Sequence, residues 1–258
     1  METFDPRHIG PTASLNRVIV ADVPGIEIEE GVCGKTGYRL VSAKALANLM
    51  RDAAETLGID PALDDDALNR AFDACLAAPD NSPVHEAAQQ IARQMGRNLG
   101  YLLLTLRRGD VANRAARPEW DDSYWAYWAG IRYIWLGGGI VSGRLGPMMR
   151  DHVLTVFAEA GLTDMQLWLS PYGSALPLVG MARQAPQETK LALVFDGGGT
   201  AIKRALALFG DGTLRQLLRF SSLTTQFDDG AAGPENHVER AWWLLDQIID
   251  MIDQTRDL

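Results

Sequence analysis

An α/β fold, with a mixed sheet flanked by helices, follows from three features of the 258-residue chain. Short apolar runs that end in glycine turns have the length of strands. Examples are Tyr133-Ile134-Trp135-Leu136 before Gly137-Gly138-Gly139, and Leu191-Ala192-Leu193-Val194-Phe195 before Asp196-Gly197-Gly198-Gly199-Thr200. Longer stretches place apolar residues every three or four positions, the period of a helix. Between residues 133 and 182 the two patterns alternate as strand, helix, strand, helix, a series that implies a mainly parallel sheet covered by helices.

Element by element, residues 17–21 (Arg-Val-Ile-Val-Ala) read as a short strand, Pro24-Gly25 as a turn, and Ile26-Glu27-Ile28-Glu29 as a half-exposed strand. Ser42 fits a helix N-cap, followed by Ala45, Leu46, Leu49, Met50 and Ala53 until Gly58 stops the helix. A second helix spans about 65–77, with Leu68, Ala71, Phe72 and Cys75 inward. The strongest helical pattern lies between 83 and 106, where Val84, Ala88, Ile91, Met95, Leu99, Leu102, Leu103 and Leu106 share a stripe. Gly96 and Gly100 each cost that helix about 1 kcal/mol relative to Ala, which close packing against another element would offset. Residues 107–122 are polar and read as a loop, and the aromatic stretch Tyr124-Trp125-Ala126-Tyr127-Trp128 reads as core or interface packing. After the 133–136 strand and its glycines come an amphipathic helix over about 145–160, a strand over 165–169, and a small-residue helix over 173–182. A polar break at 186–190 divides the chain into regions 1–187 and 188–258. The second region reads as three strands and a terminal helix over about 235–253.

Composition narrows the function. A formal net charge of −9 and an isoelectric point near 4.9 oppose general nucleic-acid binding, which needs a basic face to displace counterions. Cys33 and Cys75 are far apart and have no metal-ligand spacing between them, which fits a reducing compartment. No apolar run is long enough to span a bilayer, and the first eleven residues lack the basic-then-apolar pattern of a signal peptide. The expected location is the cytoplasm, with no membrane partner. His85 and His152 have no second ligand at a metal spacing and read as boundary histidines.

The turn at 196–200 carries the most chemical information. Three adjacent glycines let the backbone approach an anion, the Thr200 hydroxyl can donate to a phosphate oxygen, and Asp196 can hold a hydrated magnesium ion. The other reading is a β-hairpin whose turn is merely glycine-rich. A Walker-type loop is excluded, because Lys203 is misplaced for one and no helix pattern follows. Gly137-Gly138-Gly139 forms a second turn of close approach, between a strand and a helix.

These motifs resemble the ROK-type sugar kinases of the wider sugar kinase, heat-shock ATPase and actin superfamily. Tyr133 through Ser142, the helix and strand after it, and residues 173–182 are similar to the carboxyl-terminal lobe of that family. Gln94-Met95-Gly96-Arg97-Asn98-Leu99-Gly100 resembles the lobe's long helix. The stretch 31–38 resembles the family's zinc-binding segment with only Cys33 of its cysteines present, and Phe195 through Lys203 resembles the superfamily's first phosphate motif. The order of the lobes is permuted or spliced, and the central segment that carries the catalytic Asp is missing. Asp229-Gly230-Ala231 is the nearest look-alike and falls in a loop.

The resemblance implies ribonuclease H-like ATPase lobes and an ATP-binding protein. Such a protein would transfer phosphate from ATP to a sugar hydroxyl if it is active, and would otherwise act as a non-catalytic sugar or nucleotide sensor or scaffold. It places Asp196 near magnesium, Gly198, Gly199 and Thr200 around the β- and γ-phosphates, and Lys203 or Arg204 as charge partners. Gly137, Gly138 and Gly139 would admit the adenosine, with Ser142 as a polar contact. It assigns no catalytic base. A third reading, a dinucleotide-binding oxidoreductase around Gly137-x-Gly139, lacks the third glycine where Ser142 stands. The apolar face of the terminal helix, with Trp242, Leu245, Ile248, Ile249 and Ile252, predicts a homo-oligomer or a partner chain.

Overall fold

The computed structural model describes residues 14–197, 201–224 and 237–256. The chain divides into two compact units, Met1–Leu176 and Pro177–Leu258.

The first unit is mostly helical, and local caps set where several of its helices start. A 3-10 turn (Leu15–Arg17) leads to α1 (Gly37–Val41), α2 (Ala43–Asp52) and α3 (Ala54–Leu57). Ser42 accepts a hydrogen bond from the Ala45 N–H at 3.0 Å, and the series ends at Gly58 in the left-handed conformation. Asp64 caps α4 (Asp65–Leu76) by accepting from the Ala67 N–H at 2.7 Å. Ser82 caps α5 (Pro83–Arg108), with Pro83 in its first turn, Arg107 and Arg108 in its last, and left-handed Gly109 after it. Two helices, α6 (Val111–Ala115) and α7 (Asp122–Gly130), then precede β1 (Tyr133–Leu136), α8 (Leu145–Glu159) and β2 (Gln166–Leu169).

From Met95 to Leu106 every residue of α5 is buried, as expected of a helix enclosed on all sides. Its closest neighbour is α8. A Cβ on Gly96 would lie 2.6 Å from the His152 Cβ and 2.8 Å from the Met149 carbonyl oxygen, so the glycines serve helix packing. Arg97 ties the same pair together, its two terminal nitrogens 2.9 and 3.0 Å from the Glu159 carboxylate. Strands β1 and β2 pair in parallel, register Tyr133 to Gln166, with α8 as the crossover between them.

In the second unit α9 (Leu176–Ala182) begins at the division. There β3 (Leu191–Gly197), β4 (Ala201–Gly210) and β5 (Thr213–Arg219) form an antiparallel meander. β6 (Leu223–Thr224) pairs with β4, and α10 (His237–Arg256) closes the described chain. Leu178, Ala182, Val194, Ala205 and Ala207 form this unit's small core.

The α/β class holds, with the strands gathered in two small sheets in place of one mixed sheet. Pro24-Gly25 is the expected turn, but residues 17–21 and 26–29 form no strand and make only a single bridge, Ile19 to Thr36. Beyond that bridge the backbone turns to a side chain: the Ala21 and Asp22 N–H groups donate to Asn113 Oδ1 at 2.8 and 3.2 Å, and Asn113 Nδ2 donates back to the Asp22 carbonyl at 2.7 Å. The expected loop at 107–122 contains α6, which presents that buried Asn113. The aromatic stretch is helical, and within it Tyr124 and Trp125 are buried.

Candidate functional site

The β1–α8 connection opens with three adjacent glycines, two of which have a structural reason to be glycine. A Cβ on Gly137 would collide with the Leu176 side chain, so this position serves packing. Gly138 has φ +112°, a conformation that L side chains rarely adopt, and its N–H donates to the Gly173 carbonyl at 3.0 Å. Gly139 has neither constraint, and a Cβ there would meet nothing within 4 Å. Ser142 stabilises the turn: its hydroxyl donates to the Gly138 carbonyl at 2.5 Å and its N–H to that of Gly139 at 3.2 Å.

Gly139 and Ser142 line a cavity of about 360 Å³ between this loop and α4. Leu46, Phe72, Leu76 and Leu145 supply apolar wall, and Asn69, Arg70 and Asp73 supply polar groups from α4. The size falls in the range of small-molecule pockets, about 300–1,000 Å³, and so does the mixture of lining groups. Asp73 does a second task. Its Oδ1 accepts from the Arg144 backbone N–H at 2.8 Å and its Oδ2 faces Arg144 Nη1 at 3.3 Å, while Gly143 has no side chain to block the approach. Arg144 stands at the N-cap of α8 and offers no capping side chain of its own. A carboxylate from another helix therefore meets the positive end of α8.

The sequence reading missed Asn69, Arg70 and Asp73 because it weighed only the apolar stripe of α4. Their i, i+1, i+4 spacing was the available signal, since it puts all three on one helical face.

Asp196, at the end of β3, belongs to the other unit. Asp196 and Lys203 stand opposite each other in the β3–β4 register and form an ion pair, Lys203 Nζ to Asp196 Oδ2 at 3.2 Å, both partly buried. Gly198, Gly199 and Thr200 lie outside the described residues, as does Asp229. Arg204, expected as a charge partner for phosphate, is buried and otherwise engaged. Its Nε donates to the Ser221 carbonyl at 2.9 Å and its Nη1 to Thr255 Oγ1 at 2.8 Å, which anchors the end of α10 to the sheet.

Among the described residues no group of three or more His, Cys, Asp or Glu side chains could hold a metal ion. Cys33 is exposed and its thiol donates to the Ala21 carbonyl at 2.9 Å. Cys75 is buried on the apolar stripe of α4, and burial pushes its thiol pKa up. Among the described residues no helix is long and apolar enough to cross a membrane. Comparison with protein-family models, with curated proteins and with solved structures gives no match to the chain.

Proposed function

We propose that the chain binds a purine nucleotide, ATP with Mg²⁺, in the manner of the ROK sugar kinases and their ribonuclease H-like lobes. Its chemistry, where it is catalytic, is phosphoryl transfer from ATP to a sugar hydroxyl. The observation that carries this reading is Gly139, a glycine that packing and backbone conformation leave unexplained, on the wall of a pocket-sized cavity. A residue without a Cβ at that point keeps the cavity open to a flat ring. Asp73 sharpens the assignment. A phosphate at the amino end of α8 would meet a carboxylate already placed there, so this turn suits the neutral nucleoside end of the ligand.

The second unit carries its own candidate groups for phosphate and magnesium, on β3 and β4. Asp196 offers a carboxylate to a hydrated ion and Lys203 an ammonium to phosphate oxygens. A single protein carboxylate suits magnesium, which keeps most of its waters and reaches the protein largely through the nucleotide. Bound there, the ion would neutralise charge on the transferred group.

The second reading, a nucleotide or sugar sensor without transfer, is favoured by the same ion pair: Lys203 already gives Asp196 a countercharge at 3.2 Å. Isothermal titration of the full chain with adenosine, with ATP and with ATP plus Mg²⁺ tests the binding reading, and a coupled assay over a panel of hexoses separates transfer from sensing. Adenosine should bind without magnesium and ATP should bind better with it. Absence of heat with both ligands would remove the proposal.

A further inference from the structure

Helix α10 is tied to its own sheet through Thr255 and carries an apolar line that is exposed. Val238, Trp242, Leu245, Ile249 and Ile252 are all exposed, Val238 by 66% and Trp242 by 63%. Their spacing is four, three, four, three, the 3.5-residue repeat of a coiled-coil seam. Five large apolar side chains on one exposed helical line exceed the scattered surface hydrophobes normal for a folded protein.

The two flanks of this seam differ. On one flank Glu239, Asp246 and Asp253 recur every seven residues, the positions that choose partners in paired helices. Asp250 lies close to them, and Asp253 has Arg256 at 3.5 Å. On the other flank Ile248 is half-buried and Thr255 is buried, bound by Arg204 of β4. A second copy laid antiparallel would set Asp246 against its own equivalent, acid on acid at the centre of the seam. A parallel copy would need the flank of Thr255, which is buried and bound by Arg204 of β4. The acidic edge also opposes an anionic membrane surface.

We infer that α10 docks a partner protein helix whose apolar seam is edged by lysine or arginine. Apolar burial would supply the contact, and the regularly spaced carboxylates would select the partner.

The test uses the full chain and two labelled three-heptad peptides with leucine seams, one edged with lysine and the other with glutamate, read by fluorescence anisotropy. The lysine-edged peptide should bind at least tenfold more tightly. Joint substitution Asp246→Lys and Asp253→Lys, both at exposed positions, should reverse that preference, whereas Leu245→Glu with Ile249→Glu should abolish binding of both peptides. Circular dichroism checks that each variant keeps its helix content. Four results would overturn the inference: equal binding of the two peptides, binding of neither, partition into phosphatidylcholine vesicles that excludes the peptide, or self-association by light scattering that the Leu245→Glu, Ile249→Glu variant dissolves.

Discussion

A Cβ placed on Gly100 of α5 would lie 2.8 Å from the Val156 Cβ of α8, closer than real Cβ contacts come. The two helices are held at this distance by glycine, and a single methyl group has nowhere to go.

Substitution Gly100→Ala therefore has two opposed effects. Helix propensity favours Ala by about 1 kcal/mol, while overpacking a close helix contact costs about 1–3 kcal/mol. Because Val156 is buried and its stiff branched side chain is the obstacle, the cost should win. Gly96→Ala should be worse, since the Met149 backbone cannot swing aside. Urea unfolding should show both variants less stable than the parent, and stabilisation of either would contradict the close packing.

Acid should destabilise the first unit in two stages. Burial, with Arg93 and Arg97 nearby, pushes the His152 pKa below its ordinary value, against smaller opposing effects of Asp151 and Glu29. The unfolded chain then takes up this proton first, and stability declines as pH falls below about 6.5. Hydrogen bonds from Arg97 hold the Glu159 carboxyl below its usual range. Its contribution is present above an unfolded pKa of about 4.3 and is lost as pH falls through the folded value. With the Glu159 side chain 40% exposed, that second stage should amount to ~1 kcal/mol or less. In urea midpoints measured from pH 8 to pH 3, His152→Gln should flatten the first stage and Glu159→Gln the second.

The glycines of the β1–α8 turn should separate folding from binding. Gly138→Ala forces a side chain into φ +112° and should lower the melting temperature. Gly139→Val adds a branched side chain to open space at the cavity wall, so stability should stay within about 0.5 kcal/mol of the parent. Nucleoside affinity, measured by calorimetry, should nevertheless drop at least tenfold. Unchanged affinity in Gly139→Val would show that the cavity is not the nucleoside site.

Loss of the Asp73 carboxylate removes the acceptor at the amino end of α8. Asp73→Ala should cost about 0.5–2 kcal/mol, the range for helix caps. Asp73→Asn keeps an acceptor oxygen and should cost less. Equal costs would mean that the 2.8 Å bond to Arg144 contributes little.

In the second unit, Thr255→Val should cost about 1.5–3 kcal/mol, because it leaves a buried guanidinium donor of Arg204 without its 2.8 Å partner. Chemical unfolding monitored by tryptophan fluorescence provides the check.

What could be read from residues alone was local. Ser42, Gly58 and the three-or-four spacing of 83–106 each act within a turn or two of helix, so α2, α4, α5 and α8 lie close to where their residues place them. The β3–β4 hairpin was legible for the same reason, two apolar runs meeting at one glycine turn. Contacts between distant segments decided the rest. Residues 17–21 have strand-like composition, but Asn113, some ninety positions later, takes the Ala21 and Asp22 N–H groups that would have continued a ladder. Arg204 has the charge to bind phosphate, but Thr255 and the Ser221 carbonyl take its guanidinium. The cavity exists because α4 lies beside the 139–145 loop, a relation fixed by Asp73 reaching Arg144 across seventy-one residues. Spacing along a chain reports which face a side chain shares with its neighbours, whereas only folding reports which distant group satisfies it.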